Sequence, residues 1–377
     1  MIDDNFSFHS RNIVRYLAHR LWHYDLILIA LVLTLSSLGF ITLFSAGYSF
    51  PWRIESQIRN ILVAVSALVF FSFIPIQLLR KCSVGLFIIG CLLLLATHFF
   101  GITIKGATRW LYVGIQIQPS EILKLALPMV LAWFYQKRLD NGPIRFAHHC
   151  IALCISAIPI LLILKQPDLG TSILVAIAGL SVIYLAGLQW RVIFIALGSL
   201  LLSLPIVWSL MYDYQRERVL TLLDPTSDPL GKGFHILQSL IAIGSGGFLG
   251  KGWLEGTQAH LDFIPERTSD FLFAVYSEEF GFIGNVILLV LYTLLIGRCF
   301  WIAAGAKNLY SRLLAGAIGT IFFTYTFVNI GMVSGLLPVV GVPLPFMSYG
   351  GTALLILGVC TGILLSINIE TKTNYHQ

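Results

Sequence analysis

The sequence predicts an all-α polytopic membrane protein of about ten transmembrane helices, with both termini on the cytoplasmic side. Three observations predict it. Apolar residues fill 57% of the 377 positions and charged residues only 11%, against about 25% charged in an ordinary soluble domain. Stretches such as Leu26 to Ala46, 171–187 and 192–211 carry no charge at all, and about 20 apolar residues suffice for a helix to cross a hydrocarbon core. Basic residues gather in alternate connecting segments, the pattern of a chain threaded repeatedly through a membrane. A transmembrane barrel would instead alternate with period two.

In chain order, helices are expected at 25–47, 56–76, 82–100, 119–136, 147–165, 170–187, 190–211, 270–298, 311–334 and 351–369. The first apolar run is too long for a signal-peptide core and is not followed by a small-residue cleavage pattern, so it reads as a retained span. An even number of crossings puts both ends on one side. The tail 1–24 holds Arg11, Arg15 and Arg20. Alternate connectors then hold Arg80 and Lys81, then Lys137, Arg138 and Arg145, then Arg191, then Arg298, Lys307 and Arg312, and the C-terminal end holds Lys372. The positive-inside rule assigns that side to the cytoplasm. The net charge of +6 then reflects basic loops beside anionic lipid, and implies no nucleic-acid partner. The six cysteines lie in or beside spans without metal-ligand spacing and read as small apolar packing residues.

Three outward segments are more than connectors. Gly101 to Ser120 carries Lys105, Arg109 and Trp110 and enters the next helix through Gln-Pro-Ser. Residues 212–269 form a large extracytoplasmic loop. Its Gly- and Pro-rich turns surround an apolar stretch, Phe234 to Leu249, that is too short and glycine-rich for an ordinary span and reads as re-entrant or interfacial. Leu336 to Gly351 has three prolines and no charge, so it is expected to pack into the protein, where irregular backbone is tolerated within a membrane. No repeat or separate soluble domain is visible, and residues 1–377 read as one integral membrane domain.

Charges inside spans are costly and mark candidate sites. Glu121 and Lys124 lie three apart near the start of the fourth helix and share a face. They are either a mutually neutralised packing pair or a pair that meets substrate, and the two readings are compatible. Ser120 is placed to cap that helix, with Glu121 near its positive end. Asp168, between Pro167 and Gly170, is either the cap of the sixth helix or part of a site lined by an irregular turn. The densest constellation runs from His260 through Asp262, Glu266 and Arg267 to Asp270. Asp270 is either the cap of the eighth helix or a carboxylate at the mouth of a polar face shared with Ser277, seven residues on, and nearly with Glu278. Arg216, Arg218 and Lys232 in the large loop are candidate phosphate contacts, whereas Lys251 reads as a solvated surface charge.

The strings GATRWL…QPSEILKLA (106–126), QPDLGT (166–171), YQRERVLTLLDPTSDPLGKGFHILQS (214–239), GSGGFLGKGWLEGTQAHLDFIPERTSDFLFAVYSEEFG (244–281) and NIGMVSGLLPVVGVPLPFMSYGG (329–351) resemble, in order and over nearly the whole chain, the SEDS family. The last string is similar to the elongation branch, RodA, rather than the division branch, FtsW. The resemblance implies a ten-helix peptidoglycan glycosyltransferase of the bacterial inner membrane that polymerises lipid II during elongation. It also implies a class B penicillin-binding transpeptidase and other rod-complex proteins as partners. The family's essential acid falls on Asp270, and its paired acid and base on Glu121 and Lys124. Where many relatives read His-Thr-Asp-Phe, this chain has Arg267-Thr268-Ser269-Asp270 and keeps the Asp. An inverting transfer from a polyprenyl diphosphate needs a base, assigned to Asp270, and positive charge at the leaving group, assigned to Arg216, Arg218 and Lys124. Mg²⁺ or Mn²⁺ would suit the diphosphate, though no dedicated metal motif is present. The alternatives are a lipid II flippase, in which Glu121 and Lys124 line a translocation path, and a non-catalytic scaffold of the elongation complex.

Overall fold

A helix stands at each of the ten predicted stretches: α1 (Leu26–Ala46), α2 (Pro51–Phe73), α3 (Ile76–Phe100), α4 (Pro119–Asp140), α5 (Phe146–Leu164), α6 (Leu169–Leu185), α7 (Trp190–Leu210), α11 (Leu272–Gly305), α12 (Leu309–Val333) and α13 (Gly351–Thr373). Three shorter ones, α8 (Asp213–Leu223), α9 (Lys232–Ser245) and α10 (Thr257–His260), fall in the large loop. The computed structural model describes residues 20, 23–48, 50–104, 107–112, 114, 116–166, 168–211, 213–224, 232–261, 263–264 and 266–373. Among the described residues, seven helices are long and apolar enough to cross a membrane: α1, α2, α3, α5, α11, α12 and α13. Lys105, Asp262 and all of the N-terminal tail's arginines except Arg20 lie outside the described residues.

Most of the charges predicted in the connectors prove to be helical: Arg80, Lys81, Lys137, Arg138, Arg191, Arg298 and Arg312. Pro75 sets the start of α3, so Arg80 and Lys81 ride on its first turns. The far end of α11 extends to Gly305, which places Arg298 inside the helix. There it pairs with Asp25 (Nη2 to Oδ2, 2.8 Å), whose other oxygen accepts from the Leu28 amide and caps α1. The packing reading of the cysteines holds for buried Cys299 and Cys360. Cys82, Cys150 and Cys154 instead face outward.

The all-α expectation needs one correction. Between α3 and α4 the chain forms a small antiparallel sheet, β1 (Ile102–Ile104), β2 (Ala107–Tyr112) and β3 (Gln116–Ile117), in the order β1-β2-β3. Its β-branched and aromatic residues favour extended backbone, and the hairpin presents Arg109 and Trp110 beside the entrance to α4.

At the centre α4, α6 and α12 pack on one another, with α3 against α4, α2 against α13 and α1 against α11. Nearly every side chain of α4 from Pro119 to Tyr135 is buried, so its charged residues sit inside the bundle. The 336–351 segment packs into the protein as expected. Val342, Leu344, Phe346 and Met347 are buried, and the Tyr292 hydroxyl donates to the Pro345 carbonyl at 2.7 Å.

The helix α11 is broken at Gly281 (φ 65°). The amides of Phe282 and Ile283, which a continuous helix would pair with the carbonyls of Glu278 and Glu279, donate instead to Gly247 and Phe248 (2.9 and 3.2 Å). The Glu278 and Glu279 carbonyls accept in turn from the Lys251 and Gly252 amides (3.0 and 3.1 Å). The loop 246–252 thus replaces, bond for bond, what the break removes. A Cβ on Gly281 would stand 2.2 Å from the Gly250 amide nitrogen, so the crossing requires glycine.

Candidate active site

Three elements converge on a chamber of about 430 Å³: the start of α4 with the β2 hairpin, the segment 266–270 before α11, and the 339–353 segment that enters α13. Its deep end is the Glu121–Lys124 pair. The Lys124 ammonium donates to Glu121 Oε1 (2.6 Å) and to the Tyr325 hydroxyl, which in turn donates to Glu121 Oε2 (2.9 Å). All three residues are buried. The packing reading of the pair is therefore correct, and because both residues line the chamber the substrate reading is compatible with it. Ser120 is not the cap. Gln118 holds that position without a side-chain bond, and Pro119 begins the helix, where a missing amide costs nothing.

Asp168 is the N-cap of α6. It accepts from the Thr171 amide (3.1 Å) and hydroxyl (2.8 Å), and Arg109 Nε lies 3.2 Å from its Oδ2. Arg109 and Thr171 line the chamber. Asp168, almost completely buried, supports them from behind.

Asp270 differs. The cap position of α11 is Phe271, and no side-chain bond is made there. The Asp270 carboxylate faces the chamber, where Gly341 passes so closely that a Cβ on it would lie 3.2 Å from Oδ2. Gly341 also has φ +77°, a conformation that side chains disfavour. The Asp270 carbonyl is held from behind by Asn329, whose amide donates to it (2.9 Å) and to the Val342 carbonyl (2.6 Å). Glu266, in left-handed backbone (φ 54°), also lines the chamber and accepts from the Ser269 hydroxyl at 3.1 Å.

The sequence from residue 18 to residue 373 matches the family model FTSW_RODA_SPOVE, described as cell cycle protein. The chain belongs to the FtsW/RodA/SpoVE family. It is similar to the peptidoglycan glycosyltransferase MrdB of Escherichia coli (strain K12), with 49% identity over 352 residues, 93% of this chain and 95% of that protein. It also resembles a chain from work on the structural coordination of polymerization and crosslinking by a peptidoglycan synthase complex (TM-score 0.80, 32% identity, 92% of this chain and 98% of that one). The crystal structure of the rod shape determining protein RodA of Thermus thermophilus matches with TM-score 0.70 and 28% identity, over 92% of this chain and 96% of that one. With its apolar helices, this family member is a multi-pass membrane protein.

Several predicted site residues of this FtsW/RodA/SpoVE protein stand elsewhere. Ser277 is buried, and its hydroxyl lies within hydrogen-bond distance of the Phe273 carbonyl (2.7 Å) and Asn285 Oδ1 (2.9 Å), away from the chamber. The helix starts after Asp270, so the two share no helical face. Glu278 faces the large loop, accepting from Lys251 (2.7 Å) and from the Thr257 and Gln258 amides that open α10. Lys251 is thus a paired residue, not a solvated one. Arg216 donates to the carbonyls of Trp208 and Ser209 (3.0 and 2.7 Å), closing the end of α7, and does not line the chamber. The side chains of Arg218, Lys232 and His260 lie outside the described residues.

Sequence reading missed Asn329, Tyr325 and Arg53. The first two are uncharged and sit in an apolar helix, where only contact reveals their role. Among the described residues no group of three or more His, Cys, Asp or Glu could hold a metal ion, and Glu121 is already committed to Lys124 and Tyr325.

Proposed function

We propose that the chain is a peptidoglycan glycosyltransferase that polymerises lipid II at the outer face of the bacterial inner membrane during elongation, with a class B penicillin-binding transpeptidase and the rod-complex proteins as partners. The observation that carries the reading is the Asp270 carboxylate, withheld from helix capping and turned into a polar chamber. That chamber shares Trp110, Glu266, Ser269 and the 349–352 backbone with an apolar groove of about 740 Å³. The site thus has a base, cations and room for a polyprenyl chain in one place. On this reading ten helices cross the membrane with both termini inside, residues 1–24 form the cytoplasmic tail and 212–269 the outer loop. The short helix α9 then lies re-entrant or at the interface, and the whole chain acts as one membrane domain.

In the transfer, the sugar 4-hydroxyl of the acceptor attacks the anomeric carbon of the donor. Asp270 takes the hydroxyl proton as the new C–O bond forms, and the diphosphate leaves with the electron pair of the broken bond. Attack opposite the leaving group inverts the configuration. A positioned base contributes about 10²- to 10⁴-fold to such a step. Lys124 and Arg109, the cations that line the chamber among the described residues, take the place that sequence reading gave to Arg216 in meeting the departing charge.

Below Lys124, the α4 residues Leu125 to Leu131 are buried, and the described chamber ends at the Glu121–Lys124 pair. That favours an enzyme over a flippase, which needs a polar path through to the other face. The deciding experiment combines the purified protein, its transpeptidase partner and labelled lipid II, scored for glycan polymer. Polymer formation supports the enzyme. Vesicle translocation of lipid II without polymer supports the flippase, and neither activity together with intact complex assembly supports the scaffold.

A further inference from the structure

The groove beside the chamber runs between α2, the β2–β3 hairpin and the start of α13, and most of its wall is apolar. Among the described residues one strong cation stands in it, Arg53, on the first turn of α2. Its Nη1 donates to the Thr268 hydroxyl. The guanidinium lies over the rings of Phe50 and Trp52, 5.0 and 5.2 Å from their centroids. Its Nε is buried without a hydrogen-bond partner among the described residues, and no carboxylate is among its described partners. A second guanidinium, Arg267, lies over the same Phe50 ring at 5.4 Å and donates to the Ala46 carbonyl. Glu266 also lines this mouth, but its Oε2 accepts from the Ser269 hydroxyl.

Held by two rings and a hydroxyl, the Arg53 fork is preorganised, so little side-chain entropy remains to be lost when it binds. A guanidinium fork suits phosphate oxygens, and an apolar trough leading from it suits a hydrocarbon chain. Thr268 is two residues from Asp270, so an anion on Arg53 would place its sugar toward the chamber. We infer that Arg53 is the anion anchor of this groove and binds the diphosphate of a polyprenyl-linked sugar whose chain lies along α2 and α13. The inference rests on the glycosyltransferase reading above and adds a headgroup contact in the groove to Lys124 and Arg109, which that reading places at the departing diphosphate.

The test measures binding of a polyprenyl diphosphate and of the matching neutral polyprenol to the detergent-purified full-length protein, wild type, Arg53→Gln and Arg53→Lys, with inorganic pyrophosphate as competitor. Wild type should prefer the diphosphate lipid over the alcohol. In Arg53→Gln that preference should fall about ten- to a hundredfold, the range of a lost charged hydrogen bond, while polyprenol binding stays unchanged and shows that the groove is intact. Arg53→Lys should keep part of the preference. Inorganic pyrophosphate should compete far more weakly than the lipid, since it has no chain to fill the groove. An Arg53→Gln protein with the wild-type preference, or a wild type with none, overturns the assignment. Polymerisation of lipid II by wild type with its partner is scored in parallel. Its absence there defeats the glycosyltransferase reading and leaves the binding result to stand by itself.

Discussion

Of the aspartates that precede apolar helices in this protein, the two nearest the chamber, Asp168 and Asp270, are held differently. Asp168 spends both oxygens on the start of α6 and on Arg109. Asp270 leaves the cap of α11 to Phe271 and turns toward the chamber. In sequence the two are equivalent, a carboxylate beside a turn before an apolar run. What separates them is the neighbouring backbone. Thr171 offers Asp168 an amide and a hydroxyl, whereas Asn329 fixes the Asp270 carbonyl and Gly341 clears space for its side chain. A carboxylate near a helix start is therefore a functional candidate when something else holds its backbone and it has been relieved of capping.

The largest effect is expected at the deep end of the chamber, at the Glu121–Lys124 pair. Lys124→Met leaves Glu121 as a buried charge with only the Tyr325 hydroxyl, and removal of one partner from such a pair costs about 3–5 kcal/mol. A large drop in the unfolding midpoint of the purified protein is expected. An unchanged midpoint would show that Glu121 is not held as described. A narrower change is Asn329→Ala, which strips a buried donor from two carbonyls at about 1–3 kcal/mol each. Polymerisation should fall at least about tenfold, mainly in kcat, because Asp270 loses its backbone anchor while the groove is untouched. A purely thermal effect with full turnover would remove Asn329 from the positioning of Asp270.

Smaller again is Asp168→Ala, which removes a cap worth about 0.5–2 kcal/mol together with the Arg109 ion pair. It should lower stability and weaken polymerisation only partly, and equal loss of activity in Asp168→Ala and Asp270→Ala would erase the distinction between them. The smallest effect on the transfer itself is expected at the far end of the bundle. Arg298→Ala leaves the buried Asp25 carboxylate without its cation and should lower stability as Lys124→Met does, yet leave the transfer rate of the folded fraction as it was, measured as polymer per folded molecule.

The helices were legible because long apolar runs admit few alternatives in a membrane, and ten predicted stretches found ten helices. The sheet at 102–117 was not, since three short strands give little periodicity. Nor was the break at Gly281. A glycine inside an apolar run reads as tolerated until the loop 246–252 is seen crossing it. Within the site, Glu121, Lys124 and Asp270 were visible as charges where charge is costly. Ser277 was misplaced because helical spacing was carried back across the start of α11. Arg216 was misplaced because a cation in an outer loop does not reveal that nearby carbonyls will take it. Asn329 and Tyr325 could be found only from their partners.

The central claim is that the carboxylate before α11 does chemistry while the one before α6 holds structure. The most direct measurement compares Asp270→Asn and Asp168→Asn, each purified with the transpeptidase partner, for the rate of glycan polymer formation from labelled lipid II at matched folded concentration. Asparagine can still cap a helix, so Asp168→Asn should retain substantial polymerisation. Asp270→Asn should make no detectable polymer while melting at the wild-type temperature. Polymer from Asp270→Asn at the wild-type rate would contradict the account.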